Sequence, residues 1–261
     1  MKSKFIFLGT GSSLGVPVIG CSCPTCSSSH LKNKRFRTSG LLKVQDKTIL
    51  IDIGPDFREQ ALRNNICHLD GVLITHTHYD HIAGLDELRI YSFIKGSNIP
   101  CILSKESFEE IRRRYYYIFK EALHGDSSTV MLDFIVLEGN EGEVNFLNLP
   151  ISYFCYHQGS MKVTGFRLGN FAYITDIKNF DKKIFKFLEG VETLVVSALR
   201  KSDSKIHFSL DDAVDFANAV QAKKTYLTHI AHELEHESIN YELPKHVQLG
   251  FDGLELDITW K

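Results

Sequence analysis

The chain has 261 residues, of which 43% are hydrophobic and 24% charged, and its formal net charge is −2. That balance excludes an intrinsically disordered chain and supplies enough apolar material for a core. The near-neutral charge excludes a global basic field for nucleic acid or anionic membrane, and no run reaches the roughly 18 apolar residues of a membrane-spanning helix.

In chain order, Met1-Lys2-Ser3-Lys4 leads into the apolar run Phe5-Ile6-Phe7-Leu8 and then Gly9-Thr10-Gly11. The run is too short for a signal peptide and no small-residue cleavage site follows, so a first strand and a cytoplasmic protein are expected. Gly9, Gly11 and Gly15 lack the dinucleotide-binding spacing and the Gly-Lys-Ser/Thr ending of a phosphate loop, which points to a tight turn. Next come Cys21, Cys23 and Cys26, three thiols within six positions. Such a cluster suits metal binding better than disulfides, whereas the scattered Cys67, Cys101 and Cys155 read as small core hydrophobes.

Short β-branched or aromatic runs bounded by Gly, Asn or Pro predict strands over 5–8, 40–44, 48–53, 71–75, 99–103, 134–137 and 144–147. Further strands are expected over 151–156, 162–168, 171–175, 193–196, 225–228 and 254–258, with Gly169-Asn170 as a two-residue hairpin turn. Helical patterns occupy 55–65, 104–119, with Ser104 as its N-cap, and 209–220. Arg112, Arg113 and Arg114, beside three tyrosines, read as a solvated helix face, and 120–133 as a protruding loop. Many strands with a few interspersed helices predict an α+β arrangement of two packed sheets covered by helices. No repeat or linker divides the chain, so one domain over 1–261 is expected.

The densest chemical signal is Thr75-His76-Thr77-His78-Tyr79-Asp80-His81, between an apolar strand and a helical pattern. Three imidazoles and a carboxylate within six residues suit borderline divalent ions. His76 and His78 can serve one ion, Asp80 and His81 an adjacent one. The cysteine loop needs a fourth ligand to close a tetrahedral zinc shell. His232 is the favoured donor, with His30 as the local rival.

The His-x-His-x-Asp-His motif after a strand resembles the signature of the metallo-β-lactamase superfamily, whose fold is a four-layer αββα sandwich. The resemblance implies further ligands in order: His157 completing the first site, Asp176 bridging both, and His229 completing the second. It also implies a role for Asp52 behind the ligands, orienting them. Together with Cys-x-Cys-x-x-Cys and Thr228-His229-Ile230-Ala231-His232, the sequence is similar to the PhnP family of phosphodiesterases that open cyclic ribose phosphates. In that family the cysteines and the second histidine hold a structural zinc, which favours His232. Manganese or zinc is then expected as the catalytic metal. The stretch 90–133 departs from the family, and the cysteine motif recurs in the PQQ-biosynthesis branch.

Two divalent ions about 3.5–4 Å apart can share a hydroxide at neutral pH and clamp a phosphate. His207, in Ile206-His207-Phe208-Ser209, resembles the His-x-Ser/Thr loop of the phosphodiesterase branches and is expected as general acid, with Asp80 in the catalytic set. The expected function is therefore dinuclear hydrolysis of a small or cyclic phosphodiester by metal-bound hydroxide. A nuclease of the tRNA 3′-endonuclease type, a thioester or lactone hydrolase, and a non-catalytic metal-binding module are the rivals. The expected partner is a small phosphodiester rather than membrane or nucleic acid, with room left for a homodimer.

Overall fold

Alternating side chains set the layers, because successive residues of a strand face opposite sides of its sheet. The structure, a computed structural model, describes residues 3–119 and 129–260. The first seven strands are β1 (Ser3–Gly9), β2 (Ser39–Val44), β3 (Lys47–Ile51), β4 (Gly71–Leu73), β5 (Ile99–Ser104), β6 (Leu132–Leu137) and β7 (Glu141–Phe146). The others are β8 (Leu149–Gln158), β9 (Met161–Leu168), β10 (Phe171–Ile174), β11 (Thr193–Ser197), β12 (Lys224–Thr228), β13 (Val247–Leu249) and β14 (Glu255–Ile258). Helices are α1 (Pro24–Ser27), α2 (Phe57–Arg63), α3 (Tyr79–Ile82), α4 (Arg89–Lys95), α5 (Lys105–Arg114), α6 (Ile184–Leu188), α7 (Leu210–Val220) and α8 (His236–Glu242).

The strands form two seven-stranded sheets, ordered β14-β1-β2-β3-β4-β5-β6 and β13-β12-β11-β10-β9-β8-β7. Each begins antiparallel and turns parallel, the first from β3 to β6 and the second from β10 to β13. Leu42, Ile49 and Ile51 face the space between the sheets, where they meet Tyr153, Phe166 and Val195 of the second sheet. Phe5 stitches this layer together, its ring centroid 4.8 Å from those of both Phe7 and Phe171. Leu41 and Leu50, one residue out of phase, pack with Phe57 of α2 and Ile111 of α5 on the outer face. On the far side, Leu194 and Val196 pack with Leu188 of α6 and Ala213 and Phe216 of α7. This is the expected four-layer αββα sandwich.

Every strand expected from the sequence is present, and α4 is the helical pattern expected after the ligand motif; the short edge strand β13 and the helices α1, α3, α6 and α8 are additions. These helices span four to seven residues, fewer than a 3.6-residue period needs to declare itself. The helix expected over 104–119 breaks after Arg114, where the tyrosine run enters a 3₁₀ turn at Tyr116–Phe119. Tyr115 donates to the Ile82 carbonyl at 3.0 Å and Tyr117 to Asp86, and these ties draw the chain off the helix path. Of the loop expected at 120–133, residues 120–128 lie outside the described residues, and β6 takes up 132–133.

One close approach positions the ligand loop. Ile53 N–H donates to His81 O at 2.7 Å and Gly84 N–H to Ile53 O at 2.9 Å, laying 53–54 along 80–84. A Cβ at Gly54 would stand 2.3 Å from Asp80 O, and one at Gly84 2.3 Å from Gly54 O. Neither backbone can yield without moving Asp80. Gly54→Ala and Gly84→Ala should each lower stability by about 1–3 kcal/mol in denaturant unfolding and weaken metal uptake at Asp80. Unchanged midpoints and unchanged uptake would refute the close-packing account.

Candidate metal centre

Strand ends deliver the polar residues to one edge of the sandwich. Asp52 follows β3, Asp176 lies two residues past β10 and His229 follows β12. All three adopt left-handed backbone, with φ of 60°, 55° and 58°. For residues other than glycine such a conformation costs on the order of 1–3 kcal/mol, and it persists only where the surroundings fix it.

Asp52 is fully buried and holds the ligand loop from behind. Its Oδ1 accepts from Thr75 N–H at 2.8 Å, and its Oδ2 from Thr75 Oγ1 at 2.8 Å. His81 Nδ1 donates to the same Oδ2 at 2.7 Å. Because the Thr75 hydroxyl proton is committed to Asp52, its oxygen accepts from His76 Nδ1, 3.0 Å away. The arrangement fixes both tautomers, leaving Nε2 of His76 and Nε2 of His81 aimed into the site. From outside, Arg114 donates to Thr77 O at 2.8 Å and buttresses the same loop. Arg112, Arg113 and Arg114 are all exposed and pair with Glu109 or Glu110, as the solvated-face reading expects, and Arg114 adds the bond to Thr77 O.

The inward atoms fall into two overlapping groups. His76, His78 and Asp176 bring ligand atoms within 4.8 Å of one another, and so do Asp80, His81 and His229. His76 Nε2 lies 3.0 Å from His78 Nδ1, the separation of two nitrogens about 2.1 Å from one ion at a right angle. Asp176 reaches the second group as well, with Oδ2 at 3.2 Å from His81 Nε2 and Oδ1 at 3.3 Å from His229 Nε2. His81 Nε2 is buried without a hydrogen-bond partner, although two carboxylates stand about it. A cation fits there.

The charges say the same. Burial opposes ionisation of Asp80 and Asp176, yet His81 and His229 outweigh it and hold both carboxyls well below the usual range. Burial likewise opposes the charge on His81, but Asp80, Asp176 and Asp52 keep it protonated well above the usual imidazole range. His229 is raised for the same reason, chiefly by Asp176 against burial. Burial, aided by the neighbouring His81 charge, drives His76 the other way, to the neutral form a metal needs.

His157 is not among these groups, which corrects the reading from sequence. Tyr156 and Gln158 turn inward and are buried, and His157 between them is exposed. Its backbone instead anchors the loop after Asp176, exchanging hydrogen bonds with Asn179 at 2.8 and 2.9 Å. A strand alternates faces, so a shift of one residue puts the neighbouring side chain in the site. Gln158 occupies the place expected of His157: its Nε2 donates to Asp176 Oδ1 at 3.0 Å. The alternation was the signal that finds it.

His207 does enter the site, 8% exposed, with Nδ1 3.4 Å from Asp176 Oδ1 and its ring stacked on His229 at 4.9 Å between centroids. Its other close partner is Gln158 Nε2, 2.8 Å from His207 Nε2. Burial lowers the imidazole to about 4, with Asp176 acting against the shift. It also shares a potential ligand group with Asp176 and His229.

A second cluster lies on the N-terminal loop. The Sγ atoms of Cys21, Cys23 and Cys26 stand 3.3, 3.5 and 3.4 Å from His232 Nδ1. Zinc bonds of about 2.3 Å to sulfur and 2.0 Å to nitrogen at tetrahedral angles give S···N edges of roughly 3.5 Å. The four residues fit such an ion. Cys23 caps α1, and its Sγ accepts from Cys26 N–H at 3.4 Å, which with burial opposing brings the Cys23 thiol down to about 7. Val18 N–H donates to Cys26 Sγ at 3.3 Å. His30, the rival ligand, instead accepts from Lys32 N–H at 3.3 Å and pairs with Glu237. The Gly9–Gly11 turn docks this half on the other: Thr10 Oγ1 donates to Asp252 at 2.7 Å and accepts from the buried Arg35 at 2.7 Å. Sequence reading assigned neither Arg35 nor Asp252 to this contact.

The chain is similar to several known proteins. The beta-lactamase superfamily domain matches residues 47–230. A crystal structure of a diphosphatase from the PhnP family superposes with a TM-score of 0.91 at 34% identity, covering 99% of this chain and 98% of that one. An octanoyltransferase of Porphyromonas gingivalis is 32% identical over 262 residues, covering 99% of this chain but 52% of that protein, so the chain spans about half the relative's length. Zinc-bound PqqB from Methylobacterium extorquens shares the fold at 18% identity, with a TM-score of 0.78 over 98% of this chain and 100% of that one. The chain is thus a member of the metallo-β-lactamase superfamily of hydrolases and, within it, is PhnP-like. Divalent metal cofactors follow from that membership and from the ligand groups.

Two predictions follow from the charges and distances. Because His81 and His229 are raised and must lose a proton to bind an ion, metal uptake at pH 7 should release protons and weaken as pH falls. Calorimetry in buffers of different ionisation enthalpy reads this directly; uptake without proton release would contradict the assigned protonation. Cys23→Ser should release one zinc per chain and lower the melting temperature, and full zinc retention would remove Cys23 from the site.

Proposed function

We propose that the protein is a dinuclear metal-dependent phosphodiesterase acting on a small or cyclic, ribose-type phosphodiester. The observation that carries this reading is Asp176, one carboxylate in contact with both ligand groups, as two ions sharing a bridging ligand require. His76, His78 and Asp176 would hold one ion, and Asp80, His81, His229 and Asp176 the other. Manganese or zinc suits these imidazole and carboxylate donors. Divalent ions in these positions supply Lewis acidity, a nucleophile at neutral pH and charge to offset the phosphate. Cys21, Cys23, Cys26 and His232 would close a separate structural zinc site. Its need for reduced thiols suits the cytoplasm. Among the described residues no helix is long and apolar enough to cross a membrane.

His207 is the group placed to serve the leaving oxygen. Burial leaves its ring neutral at pH 7, and the negative charge of an entering phosphate favours the imidazolium. Its proton then passes to the departing alkoxide, which cannot leave unaided. Asp52 keeps His76 and His81 aimed throughout. The relationship to a diphosphatase favours phosphorus chemistry over thioester or lactone hydrolysis and gives a second reading, cleavage of a phosphoanhydride.

The test compares turnover of a 2′,3′-cyclic nucleotide, a nucleoside diphosphate and a thioester. Hydrolysis of the cyclic ester, abolished in Asp176→Ala, is the expected result; turnover of the diphosphate alone would select the second reading. His207→Ala should lower kcat by about 10²–10⁴-fold on a poor leaving group. The deficit should shrink on bis(p-nitrophenyl) phosphate, whose leaving group needs no proton. Equal deficits would limit His207 to positioning the phosphate.

A further inference from the structure

The two ligand groups are not equivalent. The second group offers Asp80, His81, His229 and a share of Asp176, whereas the first offers His76, His78 and the other share of Asp176. The first group thus has one protein donor fewer than the second, which leaves its ion's shell more open. The residue expected to complete the first group, His157, faces solvent.

Gln158 stands in its place. The side chain is 6% exposed and lies against the shared carboxylate, with Nε2 3.0 Å from Asp176 Oδ1. Its other amide atom, Oε1, is buried and has no hydrogen-bond partner. Leaving a buried carbonyl unpaired costs about 1–3 kcal/mol, so the position calls for a positive partner. The amide nitrogen and oxygen exchange by a half-turn of the terminal side-chain bond. A cation beside Asp176 repels the NH₂ group and attracts the carbonyl oxygen.

We propose that Gln158, through Oε1, is the fourth protein ligand of the His76–His78–Asp176 position, making it the weaker and harder of two unequal metal sites. The inference rests on the dinuclear reading above. A neutral amide oxygen is a poorer donor to zinc than an imidazole and suits ions that accept oxygen, such as Mn²⁺ or Mg²⁺. The two sites therefore fill in sequence, the His81 position first. At limiting metal the chain carries one ion in the histidine cluster, and the second arrives only as the free concentration rises.

The test is a Mn²⁺ titration of the full chain, with the cysteine-bound zinc left in place, followed by electron paramagnetic resonance. Wild-type protein should bind Mn²⁺ in two steps, the second at least about tenfold weaker, the size of change that altered ligand support already produces. Spin coupling should appear only with the second step. Gln158→Leu should remove the weak step and keep the tight one; Gln158→His should tighten Zn²⁺ binding at the weak step by about tenfold or more. Because the two variants move the step in opposite directions, a general loss of folding cannot imitate both. Two steps that both variants leave unchanged would overturn the role of Gln158 while sparing the dinuclear reading. A single step in wild type at every concentration, unaltered by Gln158→His, would overturn both.

Discussion

The site depends on one buried carboxylate. Asp52 takes three hydrogen bonds, from Thr75 N–H, Thr75 Oγ1 and His81 Nδ1, and it does so from a backbone turn that only the surrounding fold sustains. Through Thr75 it sets the tautomer of His76; directly it sets that of His81. Burial raises the Asp52 carboxyl above the usual carboxylate range, and the His81 charge with the hydrogen bonds from His81 and Thr75 only partly offsets it. A residue that never meets substrate thereby decides which nitrogen each histidine presents. The Gly54–Gly84 contact completes the device by fixing how closely the ligand loop approaches β3.

The fold makes the site possible by where the strands end. β3, β4, β10 and β12 finish at one edge of the sandwich, and each hands over to a loop bearing a polar residue. Left-handed backbone at Asp52, Asp176 and His229 puts strain at the chemistry, and the packed sheets behind it sustain that strain. The Cys-His cluster and the Thr10–Asp252–Arg35 contacts then join the N-terminal loop to the segment that follows β12. Since His229 and His232 are three residues apart, whatever orders one restrains the other.

Much of this was written in the sequence. The strands announced themselves because β-branched and aromatic runs of four or more carry their own period, and the apolar spacing over 209–220 marked α7. Short helices such as α3 and α6 carry no comparable signal. The dense His-x-His-x-Asp-His run was legible since so many ligands in six positions have few other uses. His157 was misread because residue type outweighed alternation: the imidazole is the better ligand, but the strand turns Gln158 inward. Long-range partners, such as Arg35 for Thr10 or Arg114 for Thr77 O, join residues that only folding brings together.

The central claim is that two ions share Asp176 in a site organised by Asp52. Crystals grown with saturating Mn²⁺ and measured at the manganese absorption edge test it most directly. The account predicts two anomalous peaks about 3.5–4 Å apart, with an Asp176 oxygen reaching each. One of them lies against His76 and His78, the other against Asp80, His81 and His229. A single peak, or two peaks of which Asp176 touches only one, would contradict it.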